Sequence, residues 1–213
     1  MVIWLPIVVG LVVFATGSDR NAQLARMVAI AGSILGFLVA IPLYLQFDSA
    51  LSTMQFVEHH SWVERFNIYY YLGVDGISMP LILLNCFTTP LVVMAGWQVI
   101  KERVSQYMGA FLIMSGIVNG VFASLDAVLF YVFWEASLIP MFLIIGIWGG
   151  PNRVYAAIKF FLYTLLGSLL MLVAFIYLYQ TSGGSFSILD YHQLPLPMEP
   201  QILIFIAMLL AFA

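Results

Sequence analysis

The stretch AVLFYVFWEASLIPMFLIIGI, residues 127–147, decides the fold of this chain. It carries one charged side chain, Glu135, among apolar and small polar residues. A helix that crosses a bilayer needs about 20 mostly apolar residues, and this stretch meets that length. It therefore predicts a transmembrane helix that holds a carboxylate near its middle.

The apolar character extends over the whole chain. Of its 213 residues, 63% are hydrophobic and 8% are charged, whereas soluble domains carry about 25% charged residues. Lipid must therefore be the solvent for most of the surface. The net charge of −3 provides no basic patch for nucleic acid. We expect the lipid bilayer as a partner, and no nucleic acid.

Apolar windows separated by polar breaks predict an all-α, polytopic transmembrane helix bundle with six complete helices and a truncated seventh. The complete helices are expected near residues 2–16, 27–46, 77–98, 107–123, 127–147 and 156–179, and the seventh begins near residue 200. The last apolar run has about 13 residues where a span needs about 20. Because an unsatisfied helix end is costly in hydrocarbon, we expect the chain to be the front part of a longer protein.

The basic residues are distributed asymmetrically between the linkers. Five of the seven are Arg20, Arg26, Lys101, Arg103 and Arg153, and they fall in the short linkers 17–26, 99–106 and 149–155. The alternate linkers, 47–76, 124–126 and 180–199, contain only Arg65. By the positive-inside rule, the amino terminus lies outside the cytoplasm or, in an organelle, outside the matrix. The outer linker 47–76 has room for a short strand or an amphipathic segment.

Glu135 is the principal candidate for chemistry. It lies about nine residues into its span, so it is expected near the bilayer centre at about 1.5 Å of rise per residue. A carboxylate there is costly unless it is paired, hydrated or protonated. Such groups commonly mark proton or ion paths, although a protonated Glu135 that only packs between helices is the alternative.

Other polar residues near Glu135 carry weaker signals. Pro140 removes one amide donor and disturbs the carbonyl of Ala136, which suits either a hydrated break or a packing kink. Lys159 lies about one turn inside the next span, where it either snorkels to the interface or relays protons and tunes the charge of Glu135. Tyr163, Thr164 and Ser168 follow on the same helix, and we expect their hydroxyls along one side of it.

The remaining titratable residues favour structural roles. Asp75 and Asp126 each precede a predicted span and are expected to cap its helix. Cys86 lies in an apolar run and is expected to be buried. No histidine lies within a predicted span and there is no cysteine cluster, so we expect no haem, iron–sulfur centre or other cofactor, and no metal site.

Two runs resemble a known family. LFYVFWEASLIPMFLIIGIWGG, followed by RVYAAIKFFLYTLLGSLLMLVAF, is similar to the antiporter-like subunits of respiratory complex I, and the similarity is greatest to the M-type subunit, also called chain 4. The segment GVDGISMPLILL resembles the family's entry to the third span. The resemblance extends from about residue 55 to the end of the chain.

The resemblance implies the antiporter-like subunit fold, in which residues 1–106 form helices 1–3 with the outer loop 47–76. Residues 107–213 then begin the first repeat, helices 4–7. Glu135 matches the family's fifth-span glutamate, whose partner is a seventh-span lysine expected just beyond Ala213. No settled role passes to Lys159.

The implied function is a proton half-channel in the membrane arm of an NADH:quinone oxidoreductase, a non-redox translocating subunit beside other antiporter-like subunits. The expected location is a bacterial plasma membrane, with the mitochondrial inner membrane as the alternative. The rival functions are a subunit of a multi-subunit cation/proton antiporter, a membrane subunit of an energy-converting hydrogenase, and a purely structural membrane subunit.

Overall fold

A computed structural model describes residues 1–16 and 21–212. Its helices are α1 (Trp4–Ala15), α2 (Ala22–Leu45), α3 (Ser78–Val99), α4 (Val104–Ala123), α5 (Ala127–Trp148), α6 (Arg153–Thr181), α7 (Ile188–Tyr191) and α8 (Met198–Phe212). Between α2 and α3 lie the strands β1 (Gln55–Val63) and β2 (Ile68–Val74). Arg20, which the sequence assigns to the inner surface, lies outside the described residues.

The predicted membrane-spanning helices are present, but their count differs from the prediction. Five helices, α2 to α6, are long and apolar enough to cross a bilayer. The apolar α1 and α8 are shorter, and the 12 residues of α1 rise only about 18 Å against a hydrocarbon core of about 30 Å. The described chain is therefore a mostly helical, multi-pass membrane protein, and a count of six complete spans is not confirmed.

The outer linker departs from the all-α prediction because it folds into a β-hairpin. Strands β1 and β2 pair antiparallel, with Glu58 opposite Leu72 and His60 opposite Tyr70. Asn67 turns the chain between them in a left-handed conformation, with φ of 53°. Three consecutive tyrosines in β2 favour extended structure. The suggestion of a strand in this linker is thus confirmed, and the all-α class is wrong for this segment.

Helices α1 to α4 form one packed bundle whose contacts depend on small residues. Gly10 of α1 faces Gly109 of α4 so closely that a Cβ at Gly109 would lie 2.9 Å from the carbonyl oxygen of Gly10. Small residues of this kind allow helix backbones to approach each other in membranes, where lipid provides no hydrophobic driving force. Cys86 is buried in the same bundle, as the sequence predicts.

A polar network joins α3 to α4 inside this bundle. Asn85 donates to the carbonyl oxygen of Ser115 at 2.8 Å and to the side chain of Asn119 at 2.8 Å. Thr89 donates to the Ser115 hydroxyl at 2.7 Å. Each group finds a protein partner, which is the condition for placing amides and hydroxyls in an apolar interior. The network therefore fixes the rotation of α3 against α4.

Asp126 is the structural centre of the end of the bundle that carries the β-hairpin. Its side chain caps α5 by accepting hydrogen bonds from the backbone amides of Val128 at 2.9 Å and Leu129 at 3.0 Å. Its second oxygen accepts from the backbone amide of Tyr69 in β2 at 3.0 Å. Burial raises the pKa of this carboxyl, while these three hydrogen bonds oppose that rise. The predicted cap is confirmed, and the same side chain also attaches the hairpin to α5.

Asp75 caps α3, as the sequence predicts. Its carboxylate accepts from the backbone amides of Ile77 at 3.1 Å and Ser78 at 2.7 Å. Partial burial raises the pKa of Asp75, but its hydrogen bonds with Ser78 and Ile77 outweigh that effect and leave the pKa lowered. The third span thus begins at a charged cap outside the apolar run.

We expect Asp126→Ala to destabilise the protein by about 1–3 kcal/mol, because it removes a helix cap and leaves the Tyr69 amide without its acceptor. The measurement is the thermal unfolding midpoint of the purified full-length protein in detergent. Asp48→Ala, at an exposed position in the outer linker, serves as the matched control and is expected to change the midpoint little. Equal midpoints for the two variants would contradict the structural role of Asp126.

Candidate functional site

Glu135 lies in the middle of α5, on a helix that runs without interruption through Pro140. The side chain is only partly exposed, and its Oε1 atom is buried without a hydrogen-bond partner among the described residues. The neighbouring Trp134 also has a buried indole nitrogen without a partner. A buried polar atom without a partner is costly, so such atoms in a membrane helix mark a place where protons, ions or water interact.

The hydroxyl of Tyr131 connects the Glu135 carboxylate to the hydroxyl of Ser168. Tyr131 lies one turn earlier on α5. Its hydroxyl is within hydrogen-bonding reach of the Glu135 carboxylate and of the Ser168 hydroxyl of α6. Ser168 is fully buried and donates to the carbonyl oxygen of Leu165 at 2.9 Å. A carboxylate and two hydroxyls therefore meet between α5 and α6, each able to accept a proton and, when protonated, to donate one.

The structure does not bring Lys159 to Glu135. Phe142 of α5 contacts Phe161 of α6 at a ring separation of 5.7 Å, while Tyr131 faces Ser168 further along the antiparallel pair. Glu135 is therefore level with residues near 165, about 9 Å along α6 from Lys159. The Lys159 side chain is exposed, and no ion pair joins it to a carboxylate within residues 1–16 and 21–212.

Lys159 instead lies between two aromatic rings on the outer surface of α6. Its Nζ atom is 5.8 Å from the ring centre of Tyr163 and 6.0 Å from that of Tyr155. These distances are typical of cation–π contacts, which partly compensate a cation for lost hydration.

The prediction that three hydroxyls share one side of α6 is wrong. Tyr163 is 70% exposed whereas Ser168 is 0% exposed. Five residues correspond to about 140° of helix rotation, so the two side chains point to different surroundings. Thr164 donates back to the carbonyl oxygen of Phe160 at 2.7 Å. Of these three side chains, Ser168 is the one that interacts with Tyr131 of α5.

Sequence reasoning missed Tyr131 and the contribution of α8. Tyr131 stands four residues before Glu135, and the i, i+4 spacing is a signal for residues that meet on one helix face. The last turn of α8 lies against α5, with Phe212 packing on the Trp134 ring at 4.8 Å. No sequence signal indicated this contact, because it depends on the loop that returns α8 to the bundle.

Two family profiles match consecutive parts of the chain. Residues 23–122 match the profile described as NADH-ubiquinone oxidoreductase chain 4, amino terminus. Residues 124–213 match the profile described as NADH:quinone oxidoreductase/Mrp antiporter, TM. The chain belongs to the antiporter-like subunit M / chain 4 family. The whole of α5, including Glu135, falls within the second match.

Relatives of this family cover most of the chain. NADH-quinone oxidoreductase subunit M of Rhodobacter capsulatus is 51% identical over 78% of the chain and 31% of the relative. The subunit M of Rickettsia prowazekii (strain Madrid E) is 37% identical over 99% of the chain and 44% of the relative. NADH-ubiquinone oxidoreductase chain 4 of Arabidopsis thaliana is 42% identical over 85% of the chain and 37% of the relative. The chain thus spans less than half the length of these relatives.

The fold also matches solved structures of membrane complexes. A chain of respiratory complex I from Thermus thermophilus with bound NADH superposes with a TM-score of 0.82 and 30% identity, over 100% of this chain and 43% of that chain. A chain of the Mrp complex from Dietzia sp. DQ12-45-1b superposes with a TM-score of 0.80 at 17% identity, over 99% of this chain and 23% of that chain. The second likeness shows the shared fold alone.

In this antiporter-like subunit, Gly167 sets the distance between α6 and α8. A Cβ at Gly167 would lie 2.6 Å from the carbonyl oxygen of Leu210, so Gly167→Ala must push α8 away from α6 and from Trp134. We expect a lower thermal unfolding midpoint for the purified full-length protein, by several degrees for a cost of about 1–3 kcal/mol.

Gly146→Ala is the matched control, because a Cβ there meets its nearest neighbour, the Cβ of Ala157, at an ordinary 3.6 Å. Both variants remove a helical glycine and therefore share the gain in helix propensity. A midpoint for Gly167→Ala as high as that for Gly146→Ala would show that α8 does not pack on α6 as described.

Proposed function

We propose that this chain is the front part of a membrane-arm subunit of an NADH:quinone oxidoreductase. Its region α5–α6–α8 forms a proton half-channel that couples quinone reduction to proton translocation. The observation that carries the proposal is the Oε1 atom of Glu135, buried without a partner in a membrane-spanning helix beside Tyr131 and Ser168. The names of the relatives and of the Thermus complex support the assembly to which it belongs.

The proposed chemistry is proton transfer at the Glu135 carboxylate. Glu135 takes a proton from a donor on one side of the site, becomes neutral, and later gives the proton to an acceptor on the other side. The hydroxyls of Tyr131 and Ser168 accept and donate within the same step, so no net charge is left on them. Loss of hydration favours neutral Glu135 and a nearby cation favours its anion, so a change of surroundings loads and unloads the proton.

The packing of α8 supports the expected cation. Phe212 lies on the Trp134 ring next to Glu135, so residues that follow α8 in the longer protein enter the same neighbourhood. The family resemblance implies a seventh-span lysine, and the proposal assigns it to this neighbourhood. Lys159 keeps only a long-range role, in which its charge tunes Glu135 from about 9 Å or more along α6.

The assembly and topology follow from the same proposal. Oxidation of NADH and reduction of quinone take place in other subunits, this subunit binds no cofactor, and its partners are neighbouring antiporter-like subunits and the bilayer. The amino terminus lies outside a bacterial plasma membrane or, in the alternative, outside the matrix of a mitochondrion. Residues 107–213 begin the first antiporter-like repeat.

We expect Glu135→Gln to reduce NADH-driven proton pumping by about tenfold or more, because the amide has the size of the acid but cannot carry the proton. The measurement is proton uptake together with NADH-driven quinone reduction, made on the purified complex in liposomes. Glu199→Gln is the matched control, since Glu199 lies exposed in the first turn of α8, and it is expected to pump as the wild type does.

The outcomes separate the proposal from its rivals. If the complex with Glu135→Gln assembles and pumps normally, Glu135 is a structural residue and the proposal fails. If the wild-type assembly oxidises no NADH but exchanges sodium for protons, the chain belongs to a cation/proton antiporter. The observation that favours this second candidate is the family profile over residues 124–213, whose description names Mrp antiporters as well.

For Lys159, we expect Lys159→Gln to lower the pumping rate by roughly two- to tenfold, because a charge about 9 Å or more away acts weakly through partly hydrated surroundings. Lys159→Arg keeps the charge and the cation–π contacts and is expected to pump at nearly the wild-type rate. The readout is again proton uptake per quinone reduced. A loss as complete as that of Glu135→Gln would instead assign Lys159 to the proton path itself.

A further inference from the structure

The inner surface has a cavity that the proton site does not use. It lies between the turn that joins α3 to α4 and the turn that joins α5 to α6, and its volume is about 240 Å³. Its lining residues are Glu102, Arg103, Gly146, Ile147, Trp148 and Arg153. It belongs to the side that the basic residues assign to the cytoplasm or matrix.

The two turns are tied together by backbone carbonyls, so the cavity has a defined shape. The Trp148 indole nitrogen donates to the carbonyl oxygen of Glu102 at 3.0 Å. The Trp148 ring packs edge-on against Tyr107 at 5.2 Å, and Arg153 donates to the carbonyl oxygen of Ile147 at 2.7 Å. One nitrogen of Arg153 is thus used for positioning, and the other donors of the guanidinium remain for a ligand.

The charges of this cavity suit an anion. Arg103 and Arg153 are both exposed, and no salt bridge joins either of them to a carboxylate in the described part of the chain. Glu102 also lines the cavity, so the charge of the lining is one unit positive. Arg153 is the first residue of α6, where the helix dipole adds positive potential. Paired guanidinium groups bind phosphate oxygens in a bidentate manner.

The surroundings of the cavity select the kind of phosphate. Trp148 is a residue type enriched at the depth of lipid headgroups. Next to the cavity, α5 and α6 expose apolar side chains to the bilayer, among them Leu143, Val154 and Ile158. A ligand with a phosphate and acyl chains satisfies both surfaces at once, whereas free phosphate uses only the arginines. Basic pockets between helices on the inner side have this preference in general.

We propose that the Arg103–Trp148–Arg153 cavity binds the phosphate headgroup of an anionic glycerophospholipid of the inner leaflet. The lipid bridges the α3–α4 and α5–α6 turns, with its acyl chains along the exposed face of α5 and α6. The site is independent of proton transfer, so a complex that carries Glu135→Gln retains it.

The test uses the intact complex in nanodiscs that contain phosphatidylglycerol with a photoactivatable group near the headgroup. Crosslinked peptides are identified by mass spectrometry, and the yield on the cavity-lining residues 146–148 and 153 is compared with that on the other bilayer-facing residues of α5 and α6. We expect the double variant Arg103→Gln/Arg153→Gln to reduce that yield by about tenfold or more, because two charge-assisted hydrogen-bond donors are lost.

Two controls keep the result interpretable. Lys101→Gln removes a basic residue from the same turn that does not line the cavity, and it is expected to leave the yield within about twofold of wild type. Arg103→Lys/Arg153→Lys retains both charges and the fold of the turns, and it is expected to recover most of the labelling. A native gel confirms that each complex is assembled.

Three results would overturn the inference. One is equal labelling of wild type and the glutamine double variant. Another is the same loss for Lys101→Gln, which would indicate general attraction by surface charge. The third is displacement of the labelled lipid by inorganic phosphate, which would assign the cavity to a soluble anion.

Discussion

Inside hydrocarbon, every backbone N–H and C=O has to find its hydrogen bond within the protein. The described chain meets this condition with long apolar helices, and it places its strands and turns outside them. Side chains then decide how the helices approach each other. Glycines allow α1 to reach α4 and α6 to reach α8, and the Asn85 network fixes α3 on α4.

The start of α5 is held in place by a group of hydrogen bonds that is separate from the Asn85 network. Asp126 caps α5 and holds β2. The backbone amide of Ala127 donates to the carbonyl oxygen of Phe186, and that of Ile188 donates to Leu125. The hairpin, the start of α5 and the segment before α8 are therefore joined at one place. Because α5 also carries Glu135, this centre sets the depth and rotation of the carboxylate in the membrane.

The proposed proton site and the proposed lipid cavity differ in their electrostatic surroundings. At Glu135, the surroundings provide hydroxyls and aromatic rings but no cation among the described residues, so the charge on the carboxylate is sensitive to whatever approaches it. At the proposed lipid cavity, Arg103 and Arg153 are exposed, and no salt bridge joins either of them to a carboxylate in the described part of the chain. The first arrangement suits a group that changes its protonation state, and the second suits permanent attraction of a phosphate.

The membrane character, the positions of the long helices, the caps Asp75 and Asp126 and the central place of Glu135 followed from the sequence alone, because apolar run length and capping are local properties. The β-hairpin, the exposed position of Lys159 and the meeting of Tyr131, Glu135 and Ser168 were decided by tertiary structure. A sequence records which residues share a helix. The rotation and register of one helix on another depend on side-chain fit between segments far apart in the chain, and that fit placed Lys159 on the outer surface and Ser168 beside Tyr131.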